Sequence, residues 1–175
     1  PPGKLFRNPY GVDLTMFPPT EKPANAAPTV LMAGTWSLRK GCDVLWEACR
    51  LANSWRLLHV GSLGDAPLPQ SPLFTHRDSV PQWQLAEQFK QADVFVLASR
   101  EEGLSLVQAQ ALACGLPVVC TDRTGGEDLR ELLADPAWVT VVPHDDAAAL
   151  RHGIERALTL ARKQAGARDV LGQAR

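Results

Sequence analysis

The chain has 175 residues, 45% of them hydrophobic and 21% charged, with a formal net charge of -1. That length suits one domain with a substantial core, and the near-neutral charge leaves no basic footprint for nucleic acid or an anionic membrane. The longest apolar runs, at 94–98 and 140–142, fall far short of the ~20 residues that a membrane-spanning helix requires, so a soluble chain without a span is expected.

Residues 1–28 begin at Pro1, pass through the turn-forming Asn8-Pro9-Tyr10-Gly11 and are Pro-rich over 18–28. They read as a linker and lead-in segment of a domain cut from a longer protein. Thr29-Val30-Leu31-Met32-Ala33-Gly34 is a short apolar run closed by Gly, which suits a strand buried on both faces of a parallel sheet. Over 40–52, Val44, Leu45, Ala48, Leu51 and Ala52 recur at helical spacing, while Asp43, Glu47 and Arg50 fall on the opposite face; this predicts an amphipathic helix. The pattern continues with strands at 55–60 and 73–76, a helix over 81–91, a strand at 94–98 and a helix over 104–113. A strand at 117–121, a helix over 126–133, a strand at 139–142 and a helix from 146 to about 163 follow. Such alternation predicts right-handed βαβ units, hence an α/β, Rossmann-like, doubly wound parallel sheet over 29–165, with 166–175 as a tail. The four cysteines, Cys42, Cys49, Cys114 and Cys120, lack C-x-x-C spacing, and no secretory apolar segment is visible. Free thiols in a reducing, cytoplasmic setting are therefore expected, without a zinc site or a disulfide.

In sheets of this kind ligands bind beyond the carboxyl ends of the strands, where helix N-termini offer unpaired N–H groups. Two such loops carry candidate chemistry. Gly34-Thr35-Trp36-Ser37-Leu38-Arg39-Lys40-Gly41 brings two cations to the start of a helix between glycines. Lys40 offers a phosphate a point charge and Arg39 a planar fork; solvated loop charges are the alternative reading. The spacing is neither a Walker A loop nor a dinucleotide fingerprint. The second loop, Ser99-Arg100-Glu101-Glu102-Gly103-Leu104-Ser105-Leu106, leads into the helix that carries Gln110. Gly103 is expected to make a tight turn and the amides of Leu104, Ser105 and Leu106 an open first helical turn that accepts a diphosphate. Glu102 would accept hydrogen bonds from sugar hydroxyls at the mouth, with Gln110 about two turns further on; the alternative makes Glu102 a charge favoured by the helix dipole.

The run Glu102-Gly103-Leu104-Ser105-Leu106-Val107, continued by Gln110-Ala111-Leu112-Ala113-Cys114-Gly115-Leu116-Pro117-Val118-Val119, resembles without a gap the E-G-F-G-L-V-x-x-E-A-M-A-C-G-x-P-V-V signature of retaining GT-B glycosyltransferases of glycosyltransferase family 4. Asn8-Pro9-Tyr10-Gly11-Val12-Asp13 is similar to that family's P-N-G-V-D segment, and Gly34 through Gly41 to its G-R-x-x-x-x-K-G loop. Thr121-Asp122-Arg123-Thr124-Gly125-Gly126-Glu127-Asp128-Leu129 is similar to its loop near the donor's phosphates and sugar.

The resemblance implies one half of a GT-B fold, the C-terminal, nucleotide-sugar-binding half, with an N-terminal acceptor-binding domain absent from this sequence. It implies Lys40 on the diphosphate, Glu102 on the donor sugar, and Gly103, Leu104, Ser105 and Leu106 around both, with Gly34 and Thr35 in the phosphate loop. It further implies a nucleoside-diphosphate sugar as substrate, with no further cofactor and no metal expected and with Lys40, Arg39 and helix-terminal amides neutralising the leaving diphosphate. A glycan or glycolipid acceptor is implied, with the remaining catalytic groups in the missing domain, so the fragment alone is expected to be inactive. Surface polysaccharide or glycolipid assembly, at the inner face of a membrane through the missing domain, is the family's usual work. Two departures stand out. Thr35 occupies the place of the family's Arg, and Gln110 that of the Glu that holds the ribose hydroxyls; a neutral amide bonds more weakly than a carboxylate. Both support the alternative of a degenerate, non-catalytic binding or scaffolding domain. A sugar-nucleotide epimerase of similar fold is a further alternative that the 102–119 match does not support.

The segment His76-Arg77-Asp78-Ser79-Val80-Pro81 occupies the place where such domains hold the base, although His76, like His59, reads equally well as a structurally paired histidine. Trp46, Trp55 and Trp83 predict packing. Asp145 and Asp146 read as an N-terminal cap for the last helix.

Overall fold

The computed structural model of the chain describes residues 11–19, 27–103 and 105–163. Six strands, β1 (Thr29–Ala33), β2 (Arg56–Val60), β3 (Phe74–Arg77), β4 (Val94–Leu97), β5 (Val118–Thr121) and β6 (Val139–Val142), form one sheet in the order β3-β2-β1-β4-β5-β6, every neighbouring pair parallel. Around it lie α1 (Cys42–Ala52), α2 (Gln82–Phe89), α3 (Leu106–Ala113), α4 (Gly126–Glu131) and α5 (Ala147–Lys163), with a 3-10 turn at Pro136–Trp138. This is the doubly wound, Rossmann-like sheet expected.

Successive side chains leave a strand on opposite faces. In β1, Val30 and Met32 therefore enter one core with Leu45, Leu57, Val96 and Ile154, and Leu31 and Ala33 enter another with Leu58, Phe89, Phe95 and Leu112. α1 and α5 pack on each other over the first core, whereas α2, α3 and α4 contribute to the second. Water is excluded from both faces of the central strands β1, β2, β4 and β5, which is why they read as near-continuous apolar runs.

Several helices are shorter than expected. Residues 40 and 41 stay out of α1 because Lys40 N and Gly41 N turn back to Ser37 O (3.1 Å) and Leu38 O (2.9 Å). α3 starts at Leu106, since Ser105 keeps an extended backbone. Part of the expected linker packs on the domain, where the buried Phe17 meets the Phe89 ring at 6.1 Å. The rest of that segment, 1–10 and 20–26, and the tail at 166–175 lie outside the described residues.

No helix among the described residues is long and apolar enough to cross a membrane. All four cysteines are free and buried. Burial pushes the thiols of Cys42, Cys49 and Cys114 up to about 12 and that of Cys120 to about 11.

Strand order reverses between β1 and β4, so the loops that follow these two strands face each other across the position where doubly wound sheets bind ligands. They are the two loops singled out by the sequence.

Candidate functional site at the strand-order reversal

The first loop is set by glycines. Gly41 has φ 64°, and a Cβ there would stand 2.0 Å from the Ala98 carbonyl oxygen; only glycine lets the loop close onto the end of β4 in this way. At the end of β2, a Cβ on Gly61 would stand 1.9 Å from Gly34 O. Trp36 fixes the loop's middle: its N bonds to Ser62 O at 2.8 Å and its indole donates to Pro67 O at 3.0 Å.

A cavity of about 340 Å³ opens beside this loop, a size typical of small-molecule sites. Ala33, Gly34 and Lys40 line it from the β1 end, Val60 and Gly61 from β2, and Ser79, Val80 and Leu85 from the segment after β3. Ser105, Val107 and Gln110 line it from α3. Four sequence candidates, Gly34, Lys40, Ser105 and Gln110, thus meet in one cavity. Glu102 joins them through an ion pair with Lys40 Nζ, the two side chains only 20% and 14% exposed.

The other candidates among the described residues do not line the cavity. The Thr35 hydroxyl is 3.0 Å from that of Ser62, and Arg39 Nη1 donates to Glu101 O at 3.1 Å. Leu106 is exposed, and Leu104 lies outside the described residues. Gly103 corrects an expectation: its backbone is not left-handed, and a Cβ would meet nothing within 4 Å. Its conformation and surroundings do not require glycine.

At α3 the Ser105 side chain makes no capping bond. Its hydroxyl and the amides of Leu106 and Val107 therefore stand at the positive end of the helix dipole. Gln110 is 4% exposed and brings no charge. Gln108, fully buried, donates to Thr124 O at 2.8 Å, and Glu102 N bonds to Arg123 O at 3.0 Å, so the loop after β5 braces this side.

His59 is fully buried, and because its neighbour Val60 lines the cavity, His59 points to the other face of the sheet. Its Nε2 is 2.8 Å from Gly34 O, which can only accept, so Nε2 carries the proton. Nδ1 then accepts from His76 Nδ1 at 2.8 Å. Burial, aided by His76, holds His59 below the ordinary imidazole value, against the Gly34 bond. His76 is therefore turned away from the cavity, and the expected base segment reaches it through Ser79 and Val80.

Asp146 caps α5, accepting from Ala149 N at 2.8 Å, but Asp145 pairs with Arg100 at 2.6 Å. Among the tryptophans, Trp55 is buried, Trp46 meets the Phe74 ring edge-on and Trp83 is exposed. Among the described residues no group of three or more His, Cys, Asp or Glu is placed to hold a metal ion. Sequence reasoning missed Ala33, Val60, Gly61, Leu85 and Val107 in the lining. Gly61 carried a signal, a glycine directly after an apolar strand; the other four are indistinguishable from core positions by periodicity.

The sheet order and the cavity define a Rossmann-like domain of the kind that forms one half of GT-B glycosyltransferases. Residues 27–159 match the family described as glycosyl transferases group 1, and the chain belongs to that family; membership decides against the epimerase alternative. The D-inositol 3-phosphate glycosyltransferase of Arthrobacter sp. (strain FB24) is 34% identical over 142 residues, 67% of this chain and 34% of that protein. This chain therefore spans about a third of that relative's length. Among solved structures, sucrose-phosphate synthase from Thermosynechococcus elongatus is similar at a TM-score of 0.72 and 26% identity, over 95% of this chain and 45% of that one. The C-terminal domain of a glycosyl transferase group 1 family protein from Francisella tularensis shares the fold at a TM-score of 0.73 and 15% identity, over 91% of this chain and 94% of that one.

Proposed function

We propose that this chain is the donor-binding half of a glycosyltransferase that moves a sugar from a nucleoside diphosphate to a glycan or glycolipid acceptor with retention, its acceptor-binding domain lying outside this sequence. The observation that carries the reading is the convergence of Lys40, the open α3 N-terminus and Gln110 on one cavity at the strand-order reversal. Lys40 and the amides of Leu106 and Val107 would hold the diphosphate and stabilise the charge that develops as the sugar leaves. Gln110 would hold the ribose, the segment containing Ser79 and Val80 the base, and Glu102 the sugar hydroxyls, its carboxylate kept close by Lys40 in the free protein. No metal enters this reading. A non-catalytic binding domain is the second reading, favoured by Thr35, which bonds to Ser62 where the family has a cation.

Calorimetric titration with UDP, GDP, ADP and their sugar conjugates tests the proposal. Saturable binding of one nucleotide is expected, weakened about tenfold or more in Lys40→Ala by loss of a charge-assisted contact, with Glu102→Ala reducing the preference for the sugar conjugate. A folded chain that binds none of them would overturn the donor reading.

A further inference from the structure

Arg100 lines no part of the cavity, yet one residue ties three segments together. Its Nη1 and Nη2 donate to Asp43 Oδ1 and Oδ2, each at 2.8 Å, in the first turn of α1. Its Nε donates to Asp145 Oδ1 at 2.6 Å, just ahead of α5. Nη1 also donates to the Leu38 carbonyl, and the backbone N of Arg100 to Arg39 O at 2.9 Å. Isolated surface ion pairs contribute little, but a bidentate fork inside a network is the exception. Asp145 has φ 58°, a left-handed conformation uncommon outside glycine that persists where surrounding contacts impose it.

Lys40 lies between the grasped residues: Leu38 and Arg39 precede it and Asp43 follows, so its backbone is held from both sides by one guanidinium and one amide. Arg100 also stands two residues before Glu102, the partner of the Lys40 ammonium. We propose that Arg100 is a positioning residue of the donor site, fixing Lys40 where a diphosphate meets it. This rests on the donor reading above. A lysine could supply the charge but not the fork that spans Asp43 and Leu38.

The test uses the 175-residue chain as wild type, Arg100→Lys and the milder Asp43→Asn, with two readouts. The first is hydrogen exchange at the amides of Lys40, Gly41 and Cys42, whose bonds to Ser37 and Leu38 report the loop. Exchange about tenfold faster is expected in both variants, with β4 amides unchanged. The second is titration with UDP, GDP and ADP. Arg100→Lys is expected to weaken the bound diphosphate about tenfold in the wild-type background and less than about twofold when added to Lys40→Ala, because a residue that acts through Lys40 has nothing to position once it is gone. Unchanged loop exchange in both variants, or the same loss with and without Lys40, would overturn the proposal. Wild type that binds none of the three overturns the donor reading, and the exchange readout still decides whether Arg100 holds Lys40.

Discussion

The loops entering α1 and α3 face each other across the same crevice, and the ends that meet their helices are held differently. The α1 loop is over-determined: Gly41 lies against Ala98, Trp36 bonds to the neighbouring loop, His59 supports Gly34, and Arg100 grasps Leu38, Arg39 and Asp43. The α3 loop is anchored at its start by Arg100 and Glu102, but past them it has open space beside Gly103 and an extended Ser105 whose side chain caps nothing. The difference teaches that the cation is placed in advance by the fold, while the helix end that would receive the anion keeps its polar groups uncommitted. Pre-placed charge needs no reorganisation when a ligand arrives.

The comparison breaks most readily at glycine. Gly41→Ala combines left-handed backbone with a Cβ 2.0 Å from a carbonyl oxygen, and a loss of about 3 kcal/mol, or failure to fold, is expected in urea denaturation. Gly103→Ala adds a methyl to open space and should change stability by no more than about 0.5 kcal/mol. Equal losses at the two positions would show that the α3 loop is as constrained as its counterpart.

Acid should loosen the α1 loop from beneath. Neutral His59 accepts from His76 while donating to Gly34 O; a second proton would set two N–H groups against each other. Asp78, 3.5 Å from His76 Nε2, is the other charged group facing the pair. The folded state holds His59 below its ordinary value, so in acid the unfolded chain binds the proton first and stability falls. His59's contribution is complete above the ordinary imidazole range and is lost as pH drops from there through the lower folded value. Urea midpoints measured between pH 8 and 5 should fall, with the slope reduced in His59→Gln, whose amide keeps a donor toward Gly34. An unchanged slope would remove His59 as the sensor.

Strand positions were legible because the central strands β1, β2, β4 and β5 are buried on both faces and read as apolar runs, and the alternation with helices dictated the parallel order. That Lys40, Ser105 and Gln110 would line one cavity was legible because the loops after β1 and β4 fall where the strand order reverses. The Arg100 fork was not: Asp43 had the pattern of a solvent-facing helix residue, and nothing in sequence links it to a residue 57 positions away. Nor was the His59–His76 pair, which depends on the β2–β3 register, whereas Gly103 misled because glycine marks open space as readily as a turn.

Ser105 gives the smallest and sharpest test of the contrast. A serine at the N-cap normally accepts from the helix's first amides, and its replacement by alanine costs about 1 kcal/mol. Here that bond is absent, so Ser105→Ala should leave the urea midpoint nearly unmoved, within about 0.5 kcal/mol. If the hydroxyl is instead reserved for the donor, the same substitution should weaken nucleoside diphosphate binding about fivefold through one lost hydrogen bond. A stability loss near the full capping value would mean that the helix end is already satisfied in solution, and the contrast with the α1 loop would no longer extend to the helix end that is proposed to receive the anion.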